Sequence, residues 1–275
     1  MKSDKSNVLK NHWVQPGHTV DLKDYDPNDT GPYRDKDDAL DDLEKDRLKL
    51  IELQGRLYAE KKRSLLLVLQ GTDTSGKDGT IRHVMSGVNP QGVHVTGFEV
   101  PSADELAHDY LWRVHHATPT RGRIGIFNRS HYEDVLVVRV HNLVPRKVWQ
   151  ARYQQINDFE RMLAENDTTV LKCFLYIDKD EQKQRLQERL DDPQKNWKFQ
   201  KGDLADRKLW NEYMQAYEDA LSKCSTVIAP WIVVPANRKW YRNFVVMRAV
   251  VETLEQMDPQ YPPPAPGLDK VVIED

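Results

Sequence analysis

Leu65-Leu-Leu-Val-Leu-Gln-Gly71-Thr-Asp-Thr-Ser-Gly76-Lys77-Asp-Gly-Thr80 is the stretch that decides the fold. Its apolar run is followed at once by GxxxxGK, the spacing of a phosphate-binding loop between a buried strand and a helix. Glycines let such a loop turn tightly, so that successive backbone N–H groups and the helix dipole point at one anion. Lys77 is expected to reach the transferring phosphates as a mobile positive charge. The predicted phosphate-binding residues of the loop are Gly71, Ser75, Gly76, Asp78, Gly79 and Thr80.

Two acidic residues make this loop unusual. Asp78 stands directly after Lys77, where nucleotide-cradling loops usually carry a Ser or Thr that binds Mg²⁺, and Asp73 lies inside the loop. A carboxylate beside a phosphate cradle repels the substrate unless a divalent cation lies between them. Asp73 is therefore predicted to bind Mg²⁺, with Mn²⁺ as an alternative, or to orient an attacking phosphate oxygen. Thr80 is a weaker candidate for direct ligation.

The rest of the chain alternates short apolar runs with longer amphipathic stretches. The predicted strands are 64–70, 93–98, 123–128, 170–177 and 227–234. The predicted helices are 35–62, 102–115, 146–165, 203–221 and 240–257. This alternation predicts an α/β fold, with a parallel sheet of about five strands and helices on both faces. We expect an N-terminal arm at 1–34, a single domain at 35–257 and a proline-rich tail at 258–275.

Polar side chains cluster where the third predicted strand ends. Ligands of an open parallel sheet bind beyond the carboxyl ends of the strands, so Asn128 and Arg129 are expected to face the phosphate loop. Arg129 can donate two parallel hydrogen bonds to phosphate oxygens. Asn128 takes the place where many phosphate-loop kinases carry a metal-binding Asp, and Glu133 or Asp134 could supply that charge at the metal. The alternative is helix capping, since Ser130 and Glu133 form an S-x-x-E capping box.

A basic segment at 183–208 is predicted to be a mobile lid. Arg185 and Arg189 are four residues apart, so they share one face of a helix. Pro193 ends that helix, and Gly202 allows a hinge before the next one begins. Two such helices can close over phosphates and exclude water.

The same segment carries further candidate contacts. Lys195 and Lys198 are predicted to bind phosphate, and Asp203 is either a helix cap or a carboxylate that the lid carries to the site. The alternative is a solvated helix whose arginines pair with Glu188 and Asp192.

The charge of the chain is unevenly distributed. The total of -3, from 40 Lys+Arg and 43 Asp+Glu, argues against nucleic acid as the ligand, because proteins that bind it are normally strongly basic. Residues 21–60 carry -6, whereas 113–147, 183–208 and 236–248 carry +5, +3 and +4. Arg238 and Arg242 in the last segment are predicted anion contacts. Separate basic segments around a phosphate loop indicate a substrate with several phosphates.

Composition also bears on location. The longest aliphatic run, 65–69, is far shorter than the ~20 residues that span a bilayer, and the first residues lack the apolar stretch of a signal peptide. Cys173 and Cys224 form no CxxC pair, which excludes a disulfide scaffold and a cysteine-rich zinc site. We therefore expect a cytoplasmic protein that binds no membrane.

These motifs together resemble the polyphosphate kinase 2 family, polyphosphate:nucleotide phosphotransferases with a P-loop kinase fold. The matching stretches are GxDxxGKDGT at 71–80, FNRSHYEDVLVVRVHNLVP at 127–145, RLQERLDDPQKNWKF at 185–199, GDLADRKLW at 202–210 and PWIVVPANRKWYRN at 230–243. The resemblance covers roughly residues 20 to 262. The NRSHYED form, with Asn128, is similar to the subgroup that phosphorylates both AMP and ADP.

The resemblance implies a P-loop kinase-like domain with a helical lid, which moves a phosphoryl group between inorganic polyphosphate and AMP, ADP or ATP with Mg²⁺. It implies that Asp73 and Lys77 form the essential loop pair and that Arg129 contacts the phosphates. Arg185 or Arg189 would be the lid arginine that acts on the transferring group.

The resemblance further implies that Asp203 is a metal-associated carboxylate and that the chain forms a homo-oligomer, a dimer or a tetramer. Two other functions stay open at this point. One is a conventional nucleoside or nucleotide kinase with ATP as donor, and the other is a non-catalytic module that senses phosphate or nucleotide.

Overall fold

The apolar runs of the chain form a parallel five-stranded sheet in the structure, a computed structural model that describes residues 8–273. Its strands are β1 (Ser64–Gln70), β2 (Val93–Gly97), β3 (Ile124–Asn128), β4 (Thr168–Tyr176) and β5 (Trp231–Pro235). Their order is β2-β3-β1-β4-β5, and every neighbouring pair is parallel. The predicted α/β fold is confirmed, with β1 at the centre of the sheet.

Helices cover both faces of this sheet. They are α1 (Leu40–Glu60), α2 (Lys77–Val84), α3 (Ala103–Leu106), α4 (Trp112–His116), α5 (Val137–Val140), α6 (Arg146–Glu165), α7 (Lys179–Asp191), α8 (Lys201–Lys208), α9 (Trp210–Cys224) and α10 (Lys239–Met257). In β1, Leu65, Leu67 and Leu69 pack with α1 and α10, whereas Leu66 and Val68 pack with α6 and α9. Burial on both faces explains why this strand is apolar at nearly every position.

The register of the sheet brings separate parts of the chain to one edge. Leu69 pairs with Asn128 of β3, and Gln70 pairs with Phe174 of β4. Because the strands are parallel, the residues that follow β1, β3, β4 and β5 all emerge at the same carboxyl edge. The phosphate loop, Arg129, α7 and the start of α10 therefore meet there.

Several predicted boundaries were wrong, among them the start of the first helix, which is Leu40 rather than residue 35. The fifth strand begins at Trp231 rather than at residue 227, because a turn in which Ala229 N–H donates to Thr226 Oγ1 precedes Pro230 and leaves Val227 exposed. The helix predicted at 102–115 consists of α3 and α4. They are separated by a turn in which Leu111 N–H donates to the side chain of Asp109. The helix predicted at 203–221 consists of α8, which begins at residue 201, and α9.

The N-terminal arm pairs with the free edge of β5. Val14 N–H donates to Trp231 O at 2.8 Å, and Val233 N–H donates to His12 O at 2.9 Å. Val14 and Leu22 of this arm are buried in the core, while the part of the predicted arm at 1–7 lies outside the described residues. At the other end of the chain, residues 261–273 are exposed. Within 8–273, no helix combines the length and the apolar character needed to cross a membrane.

Candidate active site

The phosphate loop occupies residues 71–76, between β1 and α2, and its backbone is unusual at two positions. Gly76, the residue before α2, has a φ of 98°, and a Cβ there would lie 1.9 Å from Nη1 of Arg242. Thr74 has a φ of 67°, which is rare for a β-branched residue and costs energy that the surrounding structure must offset. The loop is therefore held in a conformation that the backbone would not adopt alone.

Lys77 lies folded against this loop. Its Nζ donates to the carbonyl oxygens of Gly71 at 2.7 Å and Thr72 at 3.3 Å, and its side chain is buried. Burial and the charge of Arg129 lower the pKa of Lys77 to about 8, against the opposing effect of the carboxylates of Asp73, Glu133 and Asp78. Lys77 is thus an ammonium group at neutral pH with no carboxylate in direct contact, among the described residues, to neutralise it.

Arg129 faces the loop from the end of β3, as its position in the sequence predicted. It has a φ of 62°, and its Nη2 donates to Oδ1 of Asp73 at 2.5 Å. Its Nη1 lies 3.6 Å from Oε2 of Glu133. Burial lowers the pKa of Arg129, but the charges of Glu133 and Asp73 raise it by a larger amount. The net shift of the pKa is therefore upward. A fixed cation and a carboxylate are therefore adjacent at the mouth of the loop.

The predicted capping box at 130–133 does not form. Ser130 Oγ accepts a hydrogen bond from Tyr132 N–H at 3.2 Å instead of from Glu133 N–H, because the segment His131–Asp134 is a short 3₁₀ helix. The side chain of Glu133 is consequently available to Arg129.

Asp78 connects the loop to the lid. Its Oδ1 accepts a hydrogen bond from Asn128 Nδ2 at 2.8 Å, and its Oδ2 accepts one from Lys198 Nζ at 3.1 Å. Burial raises the pKa of Asp78, but these two donors outweigh it and bring the pKa below its ordinary value. Lys198, predicted as a phosphate contact, thus lies at the loop and exchanges its partner easily because both groups are partly exposed.

The structure gives Arg185 a place other than the predicted one. Its Nε donates to Glu181 Oε1, its Nη1 to the carbonyls of Thr74 and Ser75, and its Nη2 to those of Ala236 and Asn237, at 2.6–3.1 Å. A buried guanidinium whose donors are all occupied by protein acceptors holds the loop from behind, and it is not directed at the transferring group. That Arg185 or Arg189 acts on the transferring group stays a prediction, and the contacts of Arg185 in this structure favour Arg189.

Arg242 also lies behind the loop and not in front of it. The guanidinium donates to Ser75 O at 3.1 Å and to Oδ1 of Asn243, and the residue is 4% exposed. It therefore contacts the loop and not the space where a phosphate chain would lie. Arg238, the residue before α10, is exposed, so its predicted role as an anion contact stays a prediction.

The lid residues differ in their surroundings. Arg189 Nη1 donates to Lys198 O at 3.1 Å and to Asp203 Oδ2 at 3.2 Å, and it remains partly exposed. Burial and the nearby charge of Asp73 raise the pKa of Asp203. Its Oδ2 also accepts a hydrogen bond from the backbone N–H of Gln200 at 3.5 Å, so this carboxylate caps the start of α8. Lys195 pairs with Asp192 at 2.7 Å on the outer surface of the lid.

Asp134, the other predicted metal ligand, is engaged elsewhere. Its Oδ1 accepts a hydrogen bond from Arg152 Nη1 at 2.7 Å, and its side chain is largely buried. Burial raises the pKa of Asp134 to about 6, and the neighbouring arginines Arg152 and Arg113 oppose that rise. Asp134 does not lie with Asp73 and Asp203, because its carboxylate is paired with Arg152 of α6.

Several loop hydroxyls have no partner within the described residues. Buried oxygens without a hydrogen bond include Thr72 Oγ1, Thr74 Oγ1 and Ser75 Oγ. Buried polar atoms are normally satisfied, so three within four consecutive residues indicate a site that binds a polar ligand. Thr80 is different, since its Oγ1 donates to Gly76 O at 3.1 Å and supports the first turn of α2.

The sequence predictions missed several residues that line the same site. A small cavity of about 20 Å³, room for a single water molecule, lies between the loop, the segment after β3 and α9. The residues that line it, besides those predicted, include Gln182, Asp206, Trp210, Tyr213 and Tyr217. Gln182 Nε2 donates to Asp73 O at 3.4 Å, and His141 Nε2 lies 2.9 Å from Asp206 Oδ1. Asp206 and Trp210 stand in the motif GDLADRKLW, so the motif itself could have indicated them.

A buried polar network supports the segment that carries Arg129. Lys172 Nζ in β4 donates to Glu160 Oε2 at 2.5 Å and to Tyr132 Oη at 2.8 Å. Tyr132 Oη in turn donates to Glu160 Oε1 at 2.8 Å, and Ser130 Oγ accepts a hydrogen bond from Gln70 Nε2. All of these side chains are buried. The network ties the residues directly after Arg129 to β1, β4 and α6.

Comparison with known proteins agrees with this geometry. The family described as Polyphosphate kinase 2 matches residues 33–262. The AMP/ADP-polyphosphate phosphotransferase of Meiothermus ruber is 56% identical over 97% of this chain and 100% of its own length. The ADP-polyphosphate phosphotransferase of Rhodopseudomonas palustris is 42% identical over 95% of this chain and 94% of its own.

A solved structure shows the same fold. The crystal structure of Polyphosphate Kinase 2 from Arthrobacter aurescens superimposes with a TM-score of 0.88 at 44% identity, over 92% of this chain and 91% of that one. The family match over residues 33–262 includes the five strands, the phosphate loop and the lid, and with them Asp73, Lys77 and Arg129. The chain belongs to the polyphosphate kinase 2 family.

Proposed function

We propose that this chain transfers a phosphoryl group between inorganic polyphosphate and the adenine nucleotides AMP and ADP, with Mg²⁺. The observation that carries the proposal is the 56% identity to an AMP/ADP-polyphosphate phosphotransferase along essentially the whole length of both chains. The geometry supports it, because the loop amides, Lys77 and Arg129 converge on one place where a phosphate chain can lie. Phosphoryl transfer needs this kind of positioning and charge neutralisation more than it needs covalent chemistry.

The loop residues fit a bound Mg²⁺. Within residues 8–273 no group of three or more His, Cys, Asp or Glu side chains could hold a metal alone. Mg²⁺ in kinases is usually bound by one or two carboxylates together with substrate phosphates and waters. Asp73 would hold the ion, with Asp203 as the second carboxylate, and Mn²⁺ could replace it. The bound ion would neutralise charge between the phosphates, while the unpartnered loop hydroxyls would donate to phosphate oxygens.

Each cation of the site has a role in the proposal. Lys77 would leave the loop carbonyls to contact the transferring group, and Arg129 would turn from Asp73 toward a phosphate, which would leave the Asp73 carboxylate free to hold Mg²⁺. Arg189 is the lid arginine, and Lys198 releases Asp78 to contact the phosphate chain as the lid closes. Closure over the site would exclude water, which limits hydrolysis of the polyphosphate.

The experiment that tests the function uses no ATP. The purified chain is incubated with AMP or ADP, Mg²⁺ and long-chain polyphosphate, and the nucleotides are separated by chromatography. Formation of ADP from AMP and of ATP from ADP is the expected result. Turnover that requires ATP as donor would indicate a conventional kinase, and binding without turnover would indicate a sensing module. A parallel reaction with GDP tests the base preference, since a relative of Mycolicibacterium smegmatis with 32% identity is a GDP-polyphosphate phosphotransferase.

The replacement Asp73→Asn should separate binding from catalysis. It keeps the size of the side chain but removes the charge that holds Mg²⁺ and that pairs with Arg129. We expect kcat to fall by about 100-fold or more, whereas KM for polyphosphate stays level or falls because Arg129 is released to the substrate. The measurement is a set of steady-state rates at several Mg²⁺ concentrations. Asp158→Asn, at an exposed position of α6, is the matched control. A wild-type kcat for Asp73→Asn would refute the metal assignment.

We further propose that the chain is a cytoplasmic homo-oligomer, a dimer or a tetramer, that binds neither nucleic acid nor membrane. The support is the family resemblance together with the two buried free thiols of Cys173 and Cys224, which suit a reducing compartment. Light scattering during size-exclusion chromatography gives the molar mass, to be compared with 32.1 kDa for one chain.

A further inference from the structure

Two buried arginines lie together against the carbonyl oxygens of the phosphate loop. Arg185 of α7 and Arg242 of α10 both donate to the carbonyl oxygen of Ser75, each at 3.1 Å. They are 5% and 4% exposed. The Arg242 guanidinium lies directly against the loop backbone, because a Cβ on Gly76 would approach its Nη1 to 1.9 Å. The two guanidinium groups therefore lie just behind the amides that face the phosphates.

The charges of this pair are unequally compensated. Arg185 has an ion pair with Glu181 at 2.7 Å, whereas Arg242 has no carboxylate within ion-pair distance among residues 8–273. Its other acceptor is the neutral Oδ1 of Asn243. Burial and the charge of Arg185 lower the pKa of Arg242 to about 10, so the group is still charged at neutral pH. The pKa of His83 on α2 is also lowered, by burial and then by the charge of Arg242.

Hydrogen bonding alone does not account for a charged residue at this position. If Arg242 were replaced by an apolar side chain, Ser75 O would still accept from Arg185. The hydroxyl of Thr80 could turn from Gly76 O to Asn243 Oδ1, 3.5 Å away, because Gly76 O also accepts from the backbone N–H of Thr80. No acceptor would be left without a partner. An uncompensated buried charge destabilises a fold, and such a charge is retained where something else benefits from it. The group next to it that can benefit is an anion bound on the other side of the loop.

We propose that Arg242 is a positioning residue for the phosphate loop, whose unpaired buried charge strengthens binding of the polyphosphate chain from behind the loop. The inference rests on the proposed function, since it supposes a polyanion at this site. The electrostatic field of the Arg242 guanidinium acts through the protein interior. Solvent and salt screen it there much less than they screen the charge of an exposed lysine. Arg185, with its carboxylate partner, supplies the hydrogen bonds that hold the loop carbonyls.

The test compares Arg242→Met, which removes the charge, with Arg242→Lys, which keeps it but cannot make the same hydrogen bonds. The affinity for inorganic tripolyphosphate with Mg²⁺ is measured by calorimetry, and the rise in Tm that tripolyphosphate causes is measured in parallel. We expect Arg242→Met to bind about tenfold more weakly and to show a smaller rise in Tm than the wild type. At about pH 6.5 Arg242→Lys should bind within about threefold of the wild type, and it should lose this affinity toward about pH 9, where a buried ammonium gives up its proton.

The matched control is Arg248→Met on the same helix, where the lost partner is Asp46 at 2.7 Å, away from the loop. This variant should have a lower Tm and an unchanged affinity for tripolyphosphate. Equal losses of affinity in Arg242→Met and Arg242→Lys at every pH would show that only the hydrogen bonds matter and would overturn the inference. Unchanged affinity in Arg242→Met would also overturn it. If Arg242→Met does not fold, the pH dependence of Arg242→Lys relative to the wild type decides alone.

Failure of this inference and failure of the proposed function are distinguishable. Absence of wild-type turnover with polyphosphate and ADP refutes the proposed function. Normal wild-type turnover together with wild-type tripolyphosphate binding by Arg242→Met refutes the role of Arg242 and leaves the function intact.

Discussion

Replacement of Lys77 by alanine is expected to lower kcat/KM for polyphosphate-driven phosphorylation of ADP by about a thousandfold or more. The ammonium group donates to the loop carbonyls of Gly71 and Thr72, its only hydrogen-bond acceptors within residues 8–273. It has no ion-pair partner in that part of the chain, so its removal leaves no unpaired carboxylate behind there. The fold should therefore stay intact while phosphoryl transfer is lost, and Lys49→Ala on the outer face of α1 is the matched control.

The pH dependence of the wild type should report the same residue. The pKa of Lys77 in the free protein is about 8, well below its ordinary value of 10.5. A lysine is charged below its pKa, so kcat/KM for polyphosphate should fall as the pH rises through about 8. Bound phosphates favour the charged form, so the alkaline limb of kcat should lie at higher pH than that of kcat/KM. Near-wild-type turnover by Lys77→Ala, or coincident limbs in the two profiles, would contradict the assignment.

The sequence predicted the centre of the fold because local rules decide it. The bounds of β1 were predicted to the residue, since an apolar strand buried on both faces is followed by a loop with fixed spacing. The start of β5 was missed, because Val227 and Ile228 have strand-forming side chains, and only the turn before Pro230 takes them out of the sheet. The strand propensity of Val227 and Ile228 could not show whether these two residues belong to β5 or to the turn before it.

The sequence predicted which residues belong to the site, but not the contacts that depend on how the helices pack. The spacing of Arg185 and Arg189 showed that they share a helix face, but it could not show that Arg185 is buried against the loop carbonyls. Glu181, four residues before Arg185, is its actual partner, and this spacing was a signal in the sequence that went unused. Glu188 and Asp192, the alternative partners predicted for the two arginines, pair with Lys239 and Lys195 instead.

Lys172 shows most clearly what local sequence patterns do not reveal. It stands in the middle of an apolar strand, and its hydrogen-bond acceptors lie between 12 and 52 residues away along the chain. No local pattern reveals such a network, because the need for it arises only when the elements pack.

The replacement Glu160→Gln should cause a large loss of stability. Glu160 is 1% exposed, and its Oε2 accepts from Lys172 Nζ at 2.5 Å. Glutamine keeps an acceptor for Tyr132 and His131 but turns an amide toward the ammonium group of Lys172, which has no other carboxylate within ion-pair distance among the described residues. Breaking a buried ion pair at one partner typically costs about 3–5 kcal/mol. The expected free energy of unfolding, measured by urea denaturation near pH 7, is lower by about that amount.

Two matched variants isolate the cause. Glu165→Gln, on the same helix, breaks an exposed pair with Arg161 and should cost no more than about 0.5 kcal/mol. The double variant Glu160→Gln/Lys172→Met removes the ammonium group as well, so it should recover most of the lost stability. A double variant less stable than Glu160→Gln would show that the network stabilises the fold by its hydrogen bonds and packing, and not by balancing a buried charge.

The sign of the pH dependence gives an independent check. In the wild type, burial raises the pKa of Glu160, but Lys172 and His131 outweigh it and lower the pKa below its ordinary value. A carboxylate with a lowered pKa in the folded state contributes stability above its unfolded pKa and loses that contribution as the pH falls through the folded value. In Glu160→Gln the acid-sensitive contribution should be absent.

The variant should instead have an alkaline limb. Lys172, buried without an anion, should lose its proton more easily in the folded state than in the unfolded state. The unfolded state then binds more protons, so stability should rise from about pH 7 to about pH 9. Urea denaturation at a series of pH values checks both limbs. A variant whose stability falls over the alkaline range would contradict the view that Glu160 serves to keep Lys172 charged beneath the segment that carries Arg129.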